Sequence, residues 1–219
     1  MKKVGVVLAG CGYLDGAEIQ EAVATLLALE KRGFEVVAMA PNIPQMHVVD
    51  HRTQDVAEYT RNVLNESSRI TRGEILELSE VDVSSLDAVV FPGGFGAAKN
   101  LCDFAVSGSE MTVNADVRTL IHQVYESGKP MGFICIAPVL AAAVLGRTAT
   151  ALELTIGDDA GTASAIEALG ARHVVTGPGE IHVDVSNRIV STPAYMLGPN
   201  IVRVFEGIDA CIGALTEMI

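Results

Sequence analysis

A chain of 219 residues, 49% of them hydrophobic, is long enough for one large α/β domain with a sizeable core. A formal net charge of −12, with no basic stripe, excludes nucleic acid and anionic membrane surfaces as partners because phosphates are repelled. No segment approaches the roughly 20 apolar residues of a bilayer span. The four cysteines (Cys11, Cys102, Cys135, Cys211) lie far apart and read as free thiols in a reducing cytoplasm.

The N-terminus resembles a lipoprotein leader, with Leu8-Ala9-Gly10 before Cys11. Its apolar core, Val4 to Ala9, is shorter than the roughly 7–15 residues of a signal peptide, and reads as a first buried strand instead. That strand is predicted over 4–8, followed by the glycine-rich turn "GCGYLDG" and a helix over 17–32. Ile19, Val23, Leu26 and Leu27 are expected to form the apolar face of this helix, and Gly33 to stop it. A second strand is predicted over 34–40, a small inserted hairpin within 42–60, and a short helix or loop over 62–70.

The third strand, 86–91, ends in "PGGFGAAKN". A helix over 113–127 follows, with Val117, Leu120, Ile121 and Val124 on its buried face. Then come a strand over 130–134, a helix over 137–145, a strand over 152–156 and a helix over 160–169. "EIHVDVSNRIVSTP" alternates around Ser186-Asn187 and reads as a hairpin-like pair, and a helix over 198–218 closes the chain. Strands alternating with helices of this length predict one doubly wound, mostly parallel sheet spanning 1–219, with an added hairpin.

The first turn does not carry a dinucleotide fingerprint. Gly10-Cys11-Gly12 begins one, but Asp15 stands where the third glycine belongs and no acidic residue ends the second strand. His47 and His51 sit in a β-like segment, where residues four apart cannot share a metal ion. His122 is expected on a helix surface, and His173 to pack before a strand. No metal or cofactor is expected.

Cys135, in "MGFICIAP", falls where the fourth strand turns into a helix, at the carboxyl edge where such sheets bind ligands. A strand-to-helix turn of this kind projects a nucleophile, and helix amides would favour its thiolate. Ala137 is small, as such an elbow wants, and Pro138 suits a first helical turn; Phe133 is not small. The competing reading is a buried structural cysteine, which is the expectation for Cys11, Cys102 and Cys211. A thiolate needs an oxyanion pocket, for which the Gly94 and Ile136 amides are candidates, and a proton carrier, for which Glu18 is the candidate. Glu18 beside a thiolate would have to hold or share a proton. Asp15, Gly93, Asn100 and His182 are accessory candidates.

"GCGYLDGAE", "PGGFGAAKN" and "GFICIAP" together resemble the class I glutamine amidotransferase-like superfamily, the group of PfpI proteases and the Parkinsonism-associated deglycase. With "DGAEIQEA", "TRGEI", "LTIG" and "TPAYML" the chain is similar over its whole length to the ElbB family, which is glyoxalase-like. The resemblance implies a flavodoxin-like three-layer sandwich, a homodimer, Cys135 as nucleophile and Glu18 as its hydrogen-bonded carboxylate. It also implies conversion of a small aldehyde, glyoxal, to a hydroxy acid without glutathione. Two departures stand out. "LTIG" (Thr155, Ile156) occupies the place of the deglycase-like relatives' histidine, and His182-Val183-Asp184 only echoes the amidotransferases' late H-x-E. A cysteine amidohydrolase using His182, and a non-enzymatic binding or redox-sensing protein, are the alternatives.

Overall fold

Short β-branched runs separated by glycine turns build a central sheet in the computed structural model, which describes residues 1–198 and 200–219. The strands are β1 (Lys3–Val7), β2 (Glu35–Ala40), β3 (Leu76–Glu77), β4 (Ala88–Phe91), β5 (Met131–Ile134), β6 (Glu153–Gly157), β7 (Arg172–Val175), β8 (His182–Asp184) and β9 (Ile189–Thr192). Between them lie α1 (Ile19–Lys31), α2 (Val63–Ser67), α3 (Phe95–Lys99), α4 (Phe104–Ser107), α5 (Ala115–Glu126), α6 (Pro138–Leu145), α7 (Ala160–Ala168) and α8 (Ile201–Glu217).

The main sheet runs β3-β2-β1-β4-β5-β9-β8, parallel except for the β8/β9 pair, and β6 and β7 form a separate parallel pair. The chain winds outward from β1 through β2 to β3, then returns to β4 and continues to β5 on the other side. The strand order therefore reverses between β1 and β4, and the crevice at their carboxyl ends is where this topology places a ligand.

Side chains alternate across the sheet and define two cores. Val4, Val6 and Leu8 pack with Ala22, Ala28 and Leu29 of α1 and with Val204, Ile208 and Cys211 of α8. Val7, Val89 and Phe133 pack on the opposite face with Val117 and Ile121 of α5 and Leu140 of α6. The result is a flavodoxin-like α/β sandwich, helices on both faces of a mostly parallel sheet.

Three expectations change. The face of α1 turned inward is Glu21, Ala22, Ala24, Thr25, Ala28 and Leu29, whereas Ile19, Val23 and Leu27 are exposed. Most of this face is small, Ala22, Ala24, Thr25 and Ala28, because α1 is wedged between the sheet and α8. The hairpin at Ser186-Asn187 forms, but β9 is an integral parallel strand beside β5, so only β8 is added. Segment 42–62 is held by the isolated bridges Pro44–Asn62 and Val49–Val56 rather than by a regular hairpin. The expected start of the last helix includes Pro199, which lies outside the described residues.

Candidate active site

Cys135 follows β5 directly and adopts a left-handed backbone, φ 63°. A non-glycine residue pays for that conformation, and its presence between a strand and a helix marks a deliberately shaped turn. The Cys135 amide donates to the Thr192 carbonyl at 2.9 Å, tying the elbow to β9. Room for the turn comes from Gly93, where an added Cβ would lie 2.4 Å from the Cys135 Cβ. Phe133 stacks on Phe91 at 4.9 Å within the core and does not obstruct the elbow.

The amides of Gly94 and Ile136, the two oxyanion candidates, both point toward the sulfur and favour its thiolate. Gly94 sits at φ 94° at the start of α3, and a Cβ there would meet the Glu18 amide nitrogen at 2.3 Å. Its backbone is thus pressed against the N-terminus of α1.

The carboxyl at the sulfur is Glu21, not Glu18. Glu18 is the N-cap of α1, and its Oε2 accepts from the Glu21 amide at 2.6 Å. In a capping box the third helical residue would reach back to the cap amide. Here the Glu18 amide donates instead to the Gly93 carbonyl at 2.9 Å, which leaves the Glu21 side chain free to turn inward. Its Oε2 accepts from Gly93 N–H at 3.0 Å and its Oε1 from Tyr195 N–H at 3.2 Å. Tyr195 follows Ala194, itself left-handed at φ 43°, in the turn 194–197 of "TPAYML". Glu21 is fully buried and faces the Cys135 thiol at hydrogen-bonding range.

Burial dominates the electrostatics of this pair. It raises the Glu21 carboxyl to about 8, with the Glu18 carboxylate adding to the rise and the Tyr195 and Gly93 amides and Cys135 opposing it. Burial, then the Glu21 charge, pushes the Cys135 thiol well up, against the pull of the Gly94 and Ile136 amides. The expectation that helix amides would by themselves favour the thiolate is therefore corrected, because desolvation is the larger effect. A thiolate is reached at least cost with Glu21 protonated, since that removes the facing charge.

A cavity of about 690 Å³ opens over the sulfur, lined by Cys135, Ile136, Gly94 and Glu18 with Phe95, Phe104 and Met196 among its walls. Glu18 thus stays at the site, as a cavity wall rather than as the sulfur's partner.

Three accessory candidates lie elsewhere. Asn100 donates to the Ala9 and Asp15 carbonyls at 2.9 Å and accepts from Met46 N–H, stapling the glycine turn to segment 42–62. Asp15 is buried and accepts from Val49 N–H at 2.7 Å. His182 meets Glu153 at 3.0 Å, and Glu153 also pairs with Arg172, so this imidazole is committed to the β6/β7 pair. No histidine lines the cavity, and no metal-type cluster occurs among the described residues. His51 accepts from Leu14 N–H at Nε2 and meets the Val49 carbonyl with Nδ1, a structural role. His173 lies within β7 and accepts from Ile156 N–H at 3.3 Å. Cys102 and Cys211 are buried, with thiols pushed up to about 12 by burial.

Glu21 and Tyr195 were missed from the sequence. The signal for Glu21 was the small-residue stripe Ala22, Thr25 and Ala28 beside it, which marks the close face of α1. Tyr195 acts through its backbone, and its residue type carried no signal.

The model of the DJ-1/PfpI family matches residues 6–178. The human protein named glutamine amidotransferase-like class 1 domain-containing protein 3, mitochondrial, is 46% identical, covering 99% of this chain and 83% of that one. The rat ES1 protein homolog, mitochondrial, is 45% identical over 99% of this chain and 84% of that one. Among solved structures, an isoprenoid biosynthesis protein with amidotransferase-like domain from Ehrlichia chaffeensis superposes with a TM-score of 0.93 at 33% identity, covering 100% of this chain and 99% of that chain. The two mitochondrial relatives overturn the expectation of a cytoplasmic protein. That expectation rested on unpaired cysteines, and free thiols mark a reducing environment rather than one compartment.

Proposed function

The chain belongs to the DJ-1/PfpI family, and from that premise we propose that it is a glyoxalase-type, cysteine-dependent enzyme of the ElbB kind. The observation that carries the reading is the Cys135–Glu21 pair, a thiol facing a carboxyl raised to about 8, with two amides toward the sulfur and, among the described residues, no imidazole on the cavity. Such a pair moves protons near neutral pH without a histidine.

The reaction balances within the substrate. Cys135 Sγ bonds to the aldehyde carbon of a 2-oxoaldehyde while its proton passes through Glu21 to the carbonyl oxygen, giving a hemithioacetal. Glu18, on the cavity wall, takes the proton from that carbon and returns it to the neighbouring one, while the hydroxyl proton of the first carbon passes to the oxygen of the second. The first carbon rises to the thioester level as the second falls to an alcohol, so no external oxidant enters. The Gly94 and Ile136 amides steady the oxyanion, and water cleaves the thioester to release the 2-hydroxy acid and the thiol.

We also read the chain as a homodimer. In support, Ile19 and Val23 of α1 and Ile201 of α8 expose apolar side chains around a groove of about 220 Å³, and Leu27 and Val202 are exposed on the same two helices. A glutaminase reading lacks support, because His182 is held by Glu153.

Incubation with glyoxal, and separately with glutamine, separates the possibilities. The glyoxalase reading expects glycolate without added glutathione and no ammonia. Ammonia from glutamine, or no product from either, would refute it, the latter pointing to a binding or redox-sensing protein.

A further inference from the structure

The cavity is much larger than glyoxal needs. Its volume of about 690 Å³ is in the range of roughly 300–1,000 Å³ that holds drug-sized ligands. Phe95, Phe104 and Met196 give it an apolar wall, and Phe95 is 48% exposed at its edge. An aromatic ring left that open invites a flat apolar group against it.

Charge on the cavity has one sign. The carboxyls of Glu18 and Asp159 line it, and no lysine, arginine or histidine does so among the described residues. Asp159 caps α7, accepting from Thr162 N–H at 2.8 Å through Oδ1, and the Thr162 side chain together with that amide holds its carboxyl below the ordinary range. Lys99 is the nearby cation. Its ammonium lies over the Phe95 ring, 5.2 Å from the centroid, and is bonded to the Leu14 carbonyl at 2.8 Å; Lys99 is not among the lining residues.

Resting on the glyoxalase reading, we propose that the cavity selects a 2-oxoaldehyde bearing an aromatic or branched apolar group and no negative charge. Phe95, Phe104 and Met196 seat the apolar group, and Glu18 and Asp159 reject anions. The same arrangement speeds product release. The substrate enters uncharged, the product leaves as a carboxylate, and the acidic wall repels only the product.

The test compares phenylglyoxal, glyoxal and a phenylglyoxal carrying a ring carboxylate. The expected order of kcat/KM puts phenylglyoxal at least tenfold above each of the other two. Phe104→Ala should lower the phenylglyoxal-to-glyoxal ratio severalfold. Asp159→Asn, which keeps a side-chain oxygen for Thr162, should narrow the discrimination against the carboxylate compound. A second readout needs no turnover: acetophenone should protect Cys135 from iodoacetamide at concentrations where benzoate does not. Glyoxal turned over as well as phenylglyoxal, or benzoate protecting as well as acetophenone, would overturn the proposal while leaving the glyoxalase reading intact. Protection by acetophenone alone, with no oxoaldehyde turned over, would instead sink the glyoxalase reading and keep the cavity's preference.

Discussion

Glu21 faces Cys135 across a buried gap in which the carboxyl accepts from two backbone amides and two others point toward the sulfur. Each group is thereby provided with donors for its charged form, yet burial is the larger influence on both. The pair consequently behaves as one titrating unit, and Glu18 biases it from the helix cap.

Substituting the two carboxylates should move Cys135 reactivity in opposite directions. Glu21→Gln removes the charge that raises the thiol, so the pH profile of Cys135 alkylation should shift downward. Glu18→Gln removes a charge that raises Glu21, which then ionises earlier and repels the thiolate, so the profile should shift upward. Iodoacetamide labelling followed residue by residue in a mass spectrometer reads both. Equal profiles for the two variants would mean that Glu21 is not the partner of the sulfur.

The same carboxyl makes stability depend on pH. Its folded value, about 8, lies above the ordinary 4.5, so between these limits the folded chain keeps a proton that the unfolded chain releases. Stability is therefore full below the lower limit and falls as pH rises toward the upper one, by up to about 1.4 kcal/mol per unit. Wild-type Tm should drop from pH 5 to pH 8, and Glu21→Gln should lose much of that drop. A Tm difference unchanged by the substitution would contradict the buried titration.

Two glycines near the site separate steric need from mere composition. At Gly93 a Cβ would lie 2.4 Å from the Cys135 Cβ and 2.7 Å from Glu21 Oε2, so Gly93→Ala should cost about 1–3 kcal/mol and disable the pair. At Gly132, in β5, the nearest atoms are Val90 methyls at 3.5 Å, and Gly132→Ala should be tolerated. Denaturant midpoints and Cys135 alkylation of the two variants check this, and equal tolerance would refute it.

Much of the fold was legible in the sequence because β-branched runs and glycine turns report local geometry directly. The elbow at Cys135 was legible for the same reason: a strand's end and Pro138 at a helix start leave little room between them. The inward face of α1 was not legible. Hydrophobicity pointed to Ile19, Val23 and Leu27, but the face packed on the sheet and α8 is mostly small, Ala22, Ala24, Thr25 and Ala28 with Leu29, and Glu21 comes with them. The contribution of Tyr195 is a backbone amide aimed by the left-handed Ala194, a feature of the turn rather than of its residues.

The outward stripe on α1 makes its own prediction. If a second copy covers it, light scattering should give about twice the 23.0 kDa chain mass, and Val23→Asp should return the single mass without unfolding. A monomer for the unsubstituted chain at micromolar concentration would remove the homodimer.

The most direct test of the account is glycolate formation from glyoxal, followed by proton NMR without glutathione, for the unsubstituted chain, Cys135→Ala and Glu21→Gln. The account predicts glycolate from the first, none above background from Cys135→Ala, and at least a tenfold loss in Glu21→Gln, each variant being folded by circular dichroism. Glycolate at an undiminished rate from folded Cys135→Ala, or none from the unsubstituted chain, would contradict it.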